Sequence, residues 1–323
     1  MKWLVTGASG FVGQALVARL AADPEHTVRA GSRSSGSALA DGVARVQVPP
    51  LDAAGDWRAV LQGVDVVVHL AARVHVMQDR AQDPLAEFRR VNVQGSLALA
   101  RQALQAGVAR FVFVSSVKVH GEATEPGRPF HADDTAHPQD AYGQSKLEAE
   151  TGLRELARGS SSMQWVIVRP PLVYGPGVRA NFRALARAAA SGWPLPLGAV
   201  HNRRSFVALD NLVDLLVLCG THSAAANQAF LVSDGCDLST TELLQRLARA
   251  QGRQARLWPV PVAVLEWGAR LTGRHAMLQR LCGNLQLDIA KTRALLGWAP
   301  PLAVDEALRR MVAASGQAGA APK

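Results

Sequence analysis

Thr6-Gly7-Ala8-Ser9-Gly10-Phe11-Val12-Gly13 lies between a short apolar run, Trp3-Leu4-Val5, and a segment with helical character, Gln14–Ala21. A strand, a turn with glycines spaced G-x-x-G-x-x-G, and then a helix decide the fold. Gly7 makes the tight turn, Gly10 lets a pyrophosphate approach the backbone, and Gly13 permits close packing of helix on strand. The helix N-terminus adds free N–H groups and the positive end of its dipole. A glycine turn carries weight only in this strand-to-helix setting. Gly7, Ser9, Gly10, Phe11, Val12 and Gly13 are therefore candidate contacts to a dinucleotide cofactor.

The chain downstream alternates strand and helix signals, which predicts a doubly wound parallel α/β sheet of the Rossmann type. The second strand, Thr27–Ala30, runs into Gly31-Ser32-Arg33-Ser34. No acid lies between Val28 and Ala40, where an NAD site usually places one for the ribose hydroxyls. Arg33, with Ser32 and Ser34 beside it, suits a 2′-phosphate, so NADP(H) is favoured and NAD(H) is the alternative. Arg45–Val48 reads as a third strand, and Asp52 after it as either an adenine contact or a helix cap. Val64–Leu70 is almost continuously apolar, as a strand buried on both faces should be. Leu70, Ala71 and Ala72 end it, and the small alanines let a cofactor lie close. His69 inside that run reads as a core residue.

Arg73–Pro84 reads as a loop at the substrate entrance, with His75 as a candidate contact. Glu87–Gly107 reads as a helix, and the fifth strand, Phe111–Val114, ends in Ser115-Ser116. Ligands of such sheets bind beyond the carboxyl ends of the strands. Tyr142 and Lys146 follow, four residues apart and so on one face of a helix. A phenol has an ordinary pKa of about 10, and a fixed cation nearby favours the phenolate. The pair is a plausible proton-transfer device, although the spacing alone is common.

Composition narrows the class. The chain has 323 residues, 48% hydrophobic and 19% charged, in the range of soluble globular enzymes. Its net charge of +9 comes mostly from scattered arginines. That pattern fits an anionic ligand or a plain compositional habit, and shows no basic stripe of a nucleic-acid binder. Cys219, Cys236 and Cys282 are far apart and lack metal spacing. With no signal peptide and no apolar run of about eighteen residues, a cytoplasmic protein without metal or membrane partner is expected.

Taken together, these stretches resemble the extended short-chain dehydrogenase/reductase family, in its sugar-nucleotide epimerase/dehydratase branch. The resemblance runs from Lys2 to about residue 312. It rests on Thr6–Gly13, His69-Leu70-Ala71-Ala72, Asn92, Ser115-Ser116, Tyr142-x-x-x-Lys146 and Arg169-Pro170-Pro171-Leu172-Val173-Tyr174-Gly175-Pro176-Gly177. It implies that Tyr142 is the general acid/base, that Lys146 binds the nicotinamide ribose and lowers the tyrosine's pKa, and that Ser116 hydrogen-bonds the reacting oxygen. Ser115 and Pro170 join the cofactor contacts. Asn181, Arg204 and Arg280 join the substrate contacts, Arg204 for a pyrophosphate, with Arg270 and Arg274 as weaker candidates.

Residues 1–170 are expected to form the dinucleotide-binding domain, with core strands also supplied from about 203–235. Residues 171–312 should form a smaller, interleaved, mixed α/β substrate-binding cap, and 313–323 a flexible tail. Two departures from the family pattern stand out. Val117 and Lys118 occupy the places of an Asp-Glu pair in the dehydratases, which disfavours dehydration, and Pro50 replaces an adenine-binding Asp. The first expectation is a UDP-4-keto-6-deoxy-sugar 4-reductase of surface-polysaccharide synthesis. A UDP-sugar 4-epimerase with retained NAD is the alternative, and a hydroxysteroid or dihydroflavonol-type reductase a lesser one. A non-catalytic dinucleotide sensor is disfavoured because Ser116, Tyr142 and Lys146 are all present. A homodimer built on a helix pair is common in the family.

Overall fold

The computed structural model describes residues 1–33, 43–74, 83–158, 162–178, 180–273 and 275–319. Its centre is a parallel sheet of seven strands: β1 (Lys2–Thr6), β2 (Thr27–Ser32), β3 (Ala44–Gln47), β4 (Val66–His69), β5 (Arg110–Val114), β6 (Gln164–Arg169) and, after two strands of a second sheet, β9 (Gln228–Leu231). Their order across the sheet is β3-β2-β1-β4-β5-β6-β9, and every pairing is parallel. The chain works outward from β1 to β3, then returns past β1 to β4. That reversal opens the crevice in which open α/β sheets hold ligands.

Alternate residues of the strands feed two apolar layers, as the two-residue period of a strand requires. Val5, Val68, Val112 and Val168 point to one side, packing with Leu16 and Leu20 of α1 (Phe11–Ala21). Leu4, Val67, Phe111, Phe113 and Ile167 point to the other. There they meet Leu61 of α2 (Arg58–Leu61), Leu99 of α4 (Ser96–Gln105) and Leu153 of α5 (Ala141–Arg158). The apolar run around β4 is buried on both faces for this reason. The segment read as one helix over 87–107 is three pieces. A short α3 (Pro84–Phe88) passes into a π-helix, Arg89–Gly95, and then into α4.

Beyond β6 the chain enters a second layer. β7 (Leu172–Tyr174) pairs with β8 (Phe206–Ala208) in a separate parallel sheet. The rest of the chain adds α6 (Ala180–Ala190), α8 (Thr240–Ala250), α9 (Val262–Leu271), α10 (His275–Cys282) and α12 (Val304–Gly319), while α7 (Leu209–Thr221) and α11 (Ala290–Leu296) send their buried apolar residues into the core of the main sheet. Tyr174, Phe182, Phe206, Leu244, Leu247 and Leu308 share an apolar cluster of their own. The core-strand contribution expected from about 203–235 is made by β9, which pairs with β6. The tail expected over 313–323 is helical through Gly319, as the continuation of α12.

Candidate active site

Each candidate contact is placed by a strand end. Gly7 has φ +69°, and a Cβ there would lie 2.8 Å from the amide nitrogen of Ala71, where the chain leaves β4. Only glycine combines that conformation with that approach. A Cβ on Gly13 would sit 2.2 Å from the Gly7 carbonyl oxygen, so the first turn of α1 lies against the glycine turn. The N-cap Gly10 offers no side-chain cap, and the first turn of α1 carries no acid. Its leading N–H groups and dipole face outward, as a diphosphate would need. Ser9 and Gly10 are exposed, while Phe11 and Val12 are half-buried.

The other cofactor candidates surround this turn. The Ala8 N–H donates to the Gly31 carbonyl at 3.2 Å, which seats the end of β2 beside it. Ser32 is buried there and Arg33 is exposed, while Ser34 lies outside the described residues. Leu70 and Ala71 follow β4, with the Leu70 N–H donating to the Thr6 carbonyl at 3.3 Å. His69 is fully buried and hydrogen-bonds Thr6 Oγ1 at 2.6 Å and Ser96 Oγ at 2.9 Å. Burial, with the Lys146 ammonium second, pulls its pKa down to about 3. It is a neutral core residue. Asp52 Oδ1 accepts from the Ala54 N–H at 3.0 Å, a local turn bond.

Ser115 and Ser116, beyond β5, have different roles. Ser115 is buried, and its Oγ has no hydrogen-bond partner among the described residues. A buried orphan hydroxyl is costly, and here it stands in the strand-end row that a dinucleotide would line. Together with the glycine cradle it makes the residues present a fit for such a cofactor. Ser116 Oγ accepts from the Lys118 N–H at 3.2 Å, capping a 3-10 turn over Val117–Val119. Pro170, buried after β6, holds the same turn through its carbonyl, which accepts from the Val117 N–H at 3.0 Å.

Helix α5 carries Tyr142 and Lys146 to this turn. Asp140 Oδ1 accepts from the Gly143 N–H at 2.6 Å, and Asp140 Oδ2 takes the Lys118 ammonium. Glu122 takes the same ammonium at 2.7 Å. Burial draws Lys118 down, but the two carboxylates outweigh it and hold its pKa above the ordinary value. Between Tyr142 and Gln144, a Cβ on Gly143 would lie 2.7 Å from the Lys118 carbonyl oxygen. The turn of Ser116 and the first turn of α5 are thus in direct contact, clamped by an ion pair.

Lys146 is buried, donates to the Val114 carbonyl at 2.9 Å and lies 4.6 Å from the centre of the Phe113 ring. Burial lowers its pKa to about 8, with Glu150 opposing. Tyr142 is half-buried, edge-on to Phe88 at 6.0 Å. Burial, then the Asp140 carboxylate, pushes its phenol up to about 12. The lowering of the tyrosine that the resemblance implies is therefore not produced by this chain's residues alone. Asn92, in the π-helix, completes the frame. Its amide donates to Arg73 O and Ser145 Oγ, each at 3.0 Å, and its oxygen accepts from the Arg73 N–H at 2.8 Å.

Behind the site, Arg169 and Glu150 form a fully buried pair, with Nε to Oε1 at 2.9 Å and Nη2 to Oε2 at 2.5 Å. Arg169 also donates to the Ala132 carbonyl and meets His120 Nε2, both at 2.8 Å. Sequence reading passed over this pair and the Lys118 clamp. One signal was available: Tyr142, Lys146 and Glu150 recur every four residues, on one helix face. No pattern pointed to Arg169 or Asp140 as their partners.

The substrate candidates are dispersed. Arg204 is half-buried and donates to the Gly283 carbonyl at 2.9 Å, and burial lowers its pKa. Arg280 and Arg270 are exposed. His75 and Arg274 lie outside the described residues; Asn181 lies in α6. Among the described residues, no cluster of metal-ligating side chains occurs, and no helix is long and apolar enough to cross a membrane.

The family model described as the NAD dependent epimerase/dehydratase family matches residues 3–233. The chain belongs to that family. It is an NAD-dependent enzyme of the extended short-chain dehydrogenase/reductase type. A Vibrio cholerae protein named UDP-glucose 4-epimerase is 45% identical over 98% of this chain and 95% of its own length. A Mycolicibacterium smegmatis protein of the same name is 31% identical, over 97% of each chain. Among solved structures, MoeE5 in complex with UDP-glucose and NAD superposes with a TM-score of 0.78 at 25% identity. That likeness covers 99% of this chain and 100% of MoeE5.

Proposed function

We propose that this enzyme is a 4-epimerase of a UDP-linked hexose that works with a retained NAD. The observation that carries the reading is the 45% identity, along nearly the whole chain, to a protein named UDP-glucose 4-epimerase. This reverses the order of the expectations drawn from sequence, where a 4-ketoreductase stood first. NADP(H) is supported by the exposed Arg33 and the lack of an acid after β2. NAD is supported by the family and by the NAD in the MoeE5 complex.

Bound NAD would supply a reversible acceptor for hydride from the sugar carbon and, when oxidised, a positive charge. Gly7, Ser9, Gly10, Phe11, Val12 and Gly13 would hold its diphosphate end, with Ser32, Leu70, Ala71, Ala72, Ser115 and Pro170 along the strand ends. Lys146 would hold the nicotinamide ribose. Tyr142 would take the proton from the sugar hydroxyl and return it after the sugar has turned. At about 12 its phenol is a proton donor as it stands, so accepting a proton needs added positive field. Ser116 would hold the reacting oxygen. Arg204 and Arg280 would bind the UDP diphosphate through their forked donors, and His75 and Asn181 would contact the substrate. Val117 and the carboxylate-bound Lys118 supply no second acid/base pair for water elimination. A 1–170 cofactor domain and a 171–312 cap describe this division of labour.

The test needs no added cofactor. The purified enzyme is incubated with UDP-galactose or its N-acetylated analogue, the sugar is followed by NMR, and the protein is then denatured to identify released nucleotide. Interconversion with NAD released is the expected result. Absence of interconversion, with stoichiometric NADPH oxidation on a UDP-4-keto-6-deoxy sugar, would establish the reductase instead.

A further inference from the structure

Three tryptophans of this molecule stand in water. Trp193 is 76% exposed, Trp258 is 63% and Trp267 is 67%. They belong to connected segments. The Leu195 N–H donates to the Arg256 carbonyl, and the Trp258 N–H donates to Leu195, each at 2.8 Å. The Trp193 stretch is thereby laid beside the Trp258 stretch, and Trp258-Pro259-Val260-Pro261 leads directly into α9. On α9, Val264, Trp267 and Leu271 fall at i, i+3 and i+7, a single face. All three are more than half exposed, while Ala269, on the opposite face, is buried. Met277 on α10 is also exposed.

An exposed apolar area of this kind marks a contact surface, and its composition selects the partner. Tryptophan, with an apolar body and one polar N–H, is favoured at the boundary between hydrocarbon and water. Between Leu243 and Leu287 the sequence holds seven arginines and a single acid, Glu266. Arg249, Arg253, Arg256, Arg270 and Arg280 are exposed. Arg246 is paired with Asp305, and Arg274 lies outside the described residues. A second copy of the chain is a poor occupant, since a two-fold contact would bring two arginine-rich segments together. An anionic lipid surface complements both the exposed arginines and the tryptophans.

We propose that Trp193, Trp258 and the Val264-Trp267-Leu271 face of α9, in a stretch of chain rich in exposed arginines, dock the enzyme onto a bilayer interface carrying anionic phospholipid. The helix lies on the bilayer and does not span it. The same piece of chain ends at Gly283, whose carbonyl holds Arg204. Docking would thus place the proposed diphosphate arginine next to the membrane-facing segment. The vesicle experiment does not depend on which sugar reaction the enzyme performs.

The full-length protein is floated with phosphatidylcholine vesicles, with and without phosphatidylglycerol, at low and high salt. Binding at least about tenfold tighter to the anionic vesicles is expected, falling steeply with salt. Trp267→Glu, and separately Leu271→Gln, should weaken binding about tenfold while leaving NAD content and turnover of soluble substrate unchanged. Trp258→Ala provides a third variant that keeps α9 intact. Equal partition onto both vesicle types, or unchanged binding by all three variants, overturns the proposal. So does sedimentation equilibrium showing a dimer that Trp267→Glu dissociates, which would make a second copy the occupant.

Discussion

The ends of β4 and β5 and the outer face of α9 treat unusual residues in opposite ways. At the strand ends, charged and polar groups are tied to partners, Lys146 to Val114, Asn92 to Arg73 and Ser145 and Arg169 to Glu150 in the interior, and the half-buried Lys118 to Asp140 and Glu122. On α9, large apolar groups are left in water. Burying polar groups is tolerable only when they are satisfied, so the first region is stiff and its geometry is predetermined. Exposing tryptophan is tolerable only as a solvent-facing cost, which contact with another phase removes. One region is built to hold atoms still, the other to meet a surface.

The largest effect should come from the stiff region. Tyr142→Phe should lower turnover about a thousandfold while bound NAD content stays unchanged, as expected for loss of a positioned proton carrier. Steady-state assay and nucleotide release after denaturation check both halves. Glu150→Gln removes one partner of a buried pair and should cost about 3–5 kcal/mol in urea unfolding. A cost near zero would show that the network is no stiffer than the surface.

Acid should probe the same region next. His69 and His120 are held neutral in the fold, at about 3 and about 4, chiefly by burial. The unfolded chain takes up protons near the ordinary 6.5, so stability is intact above that value and is lost as pH falls toward 4. At pH 5 the loss should be about 2 kcal/mol per histidine, read as a lower melting temperature than at pH 7. Gly143→Ala should force α5 away from the Lys118 carbonyl and lower turnover about tenfold, since small misplacements of reacting groups slow catalysis. At the other extreme, Trp267→Gln should change unfolding free energy by no more than about 0.5 kcal/mol. A larger loss would mean that the face of α9 is packed in solution, and the contrast between the two regions would fail.

The readings that succeeded from sequence were those with short-range causes. The glycine turn, the doubly buried β4, the core role of His69 and the α5 pair Tyr142–Lys146 all follow from the period of a strand or helix, or from a backbone that admits only glycine. The π-helix around Asn92 was not legible, because its residues are ordinary helix formers and only their contacts distinguish them. The same holds for α12 beyond residue 312, where Ala, Ser and Gly suggested a tail. Arg204 was legible as a forked cation, but its bond to Gly283 joins positions 79 residues apart.

Sequence alone therefore determined the sheet type, the tight glycine turn before α1 and the placing of Tyr142 and Lys146 on one helix, because local sterics and helical spacing specify them. Tertiary structure decided which charges are paired, Lys118 with Asp140 and, fully buried, Arg169 with Glu150. It also decided which tryptophans remain in water. Pairing and burial depend on segments far apart in the chain meeting in space, and no local pattern encodes that meeting.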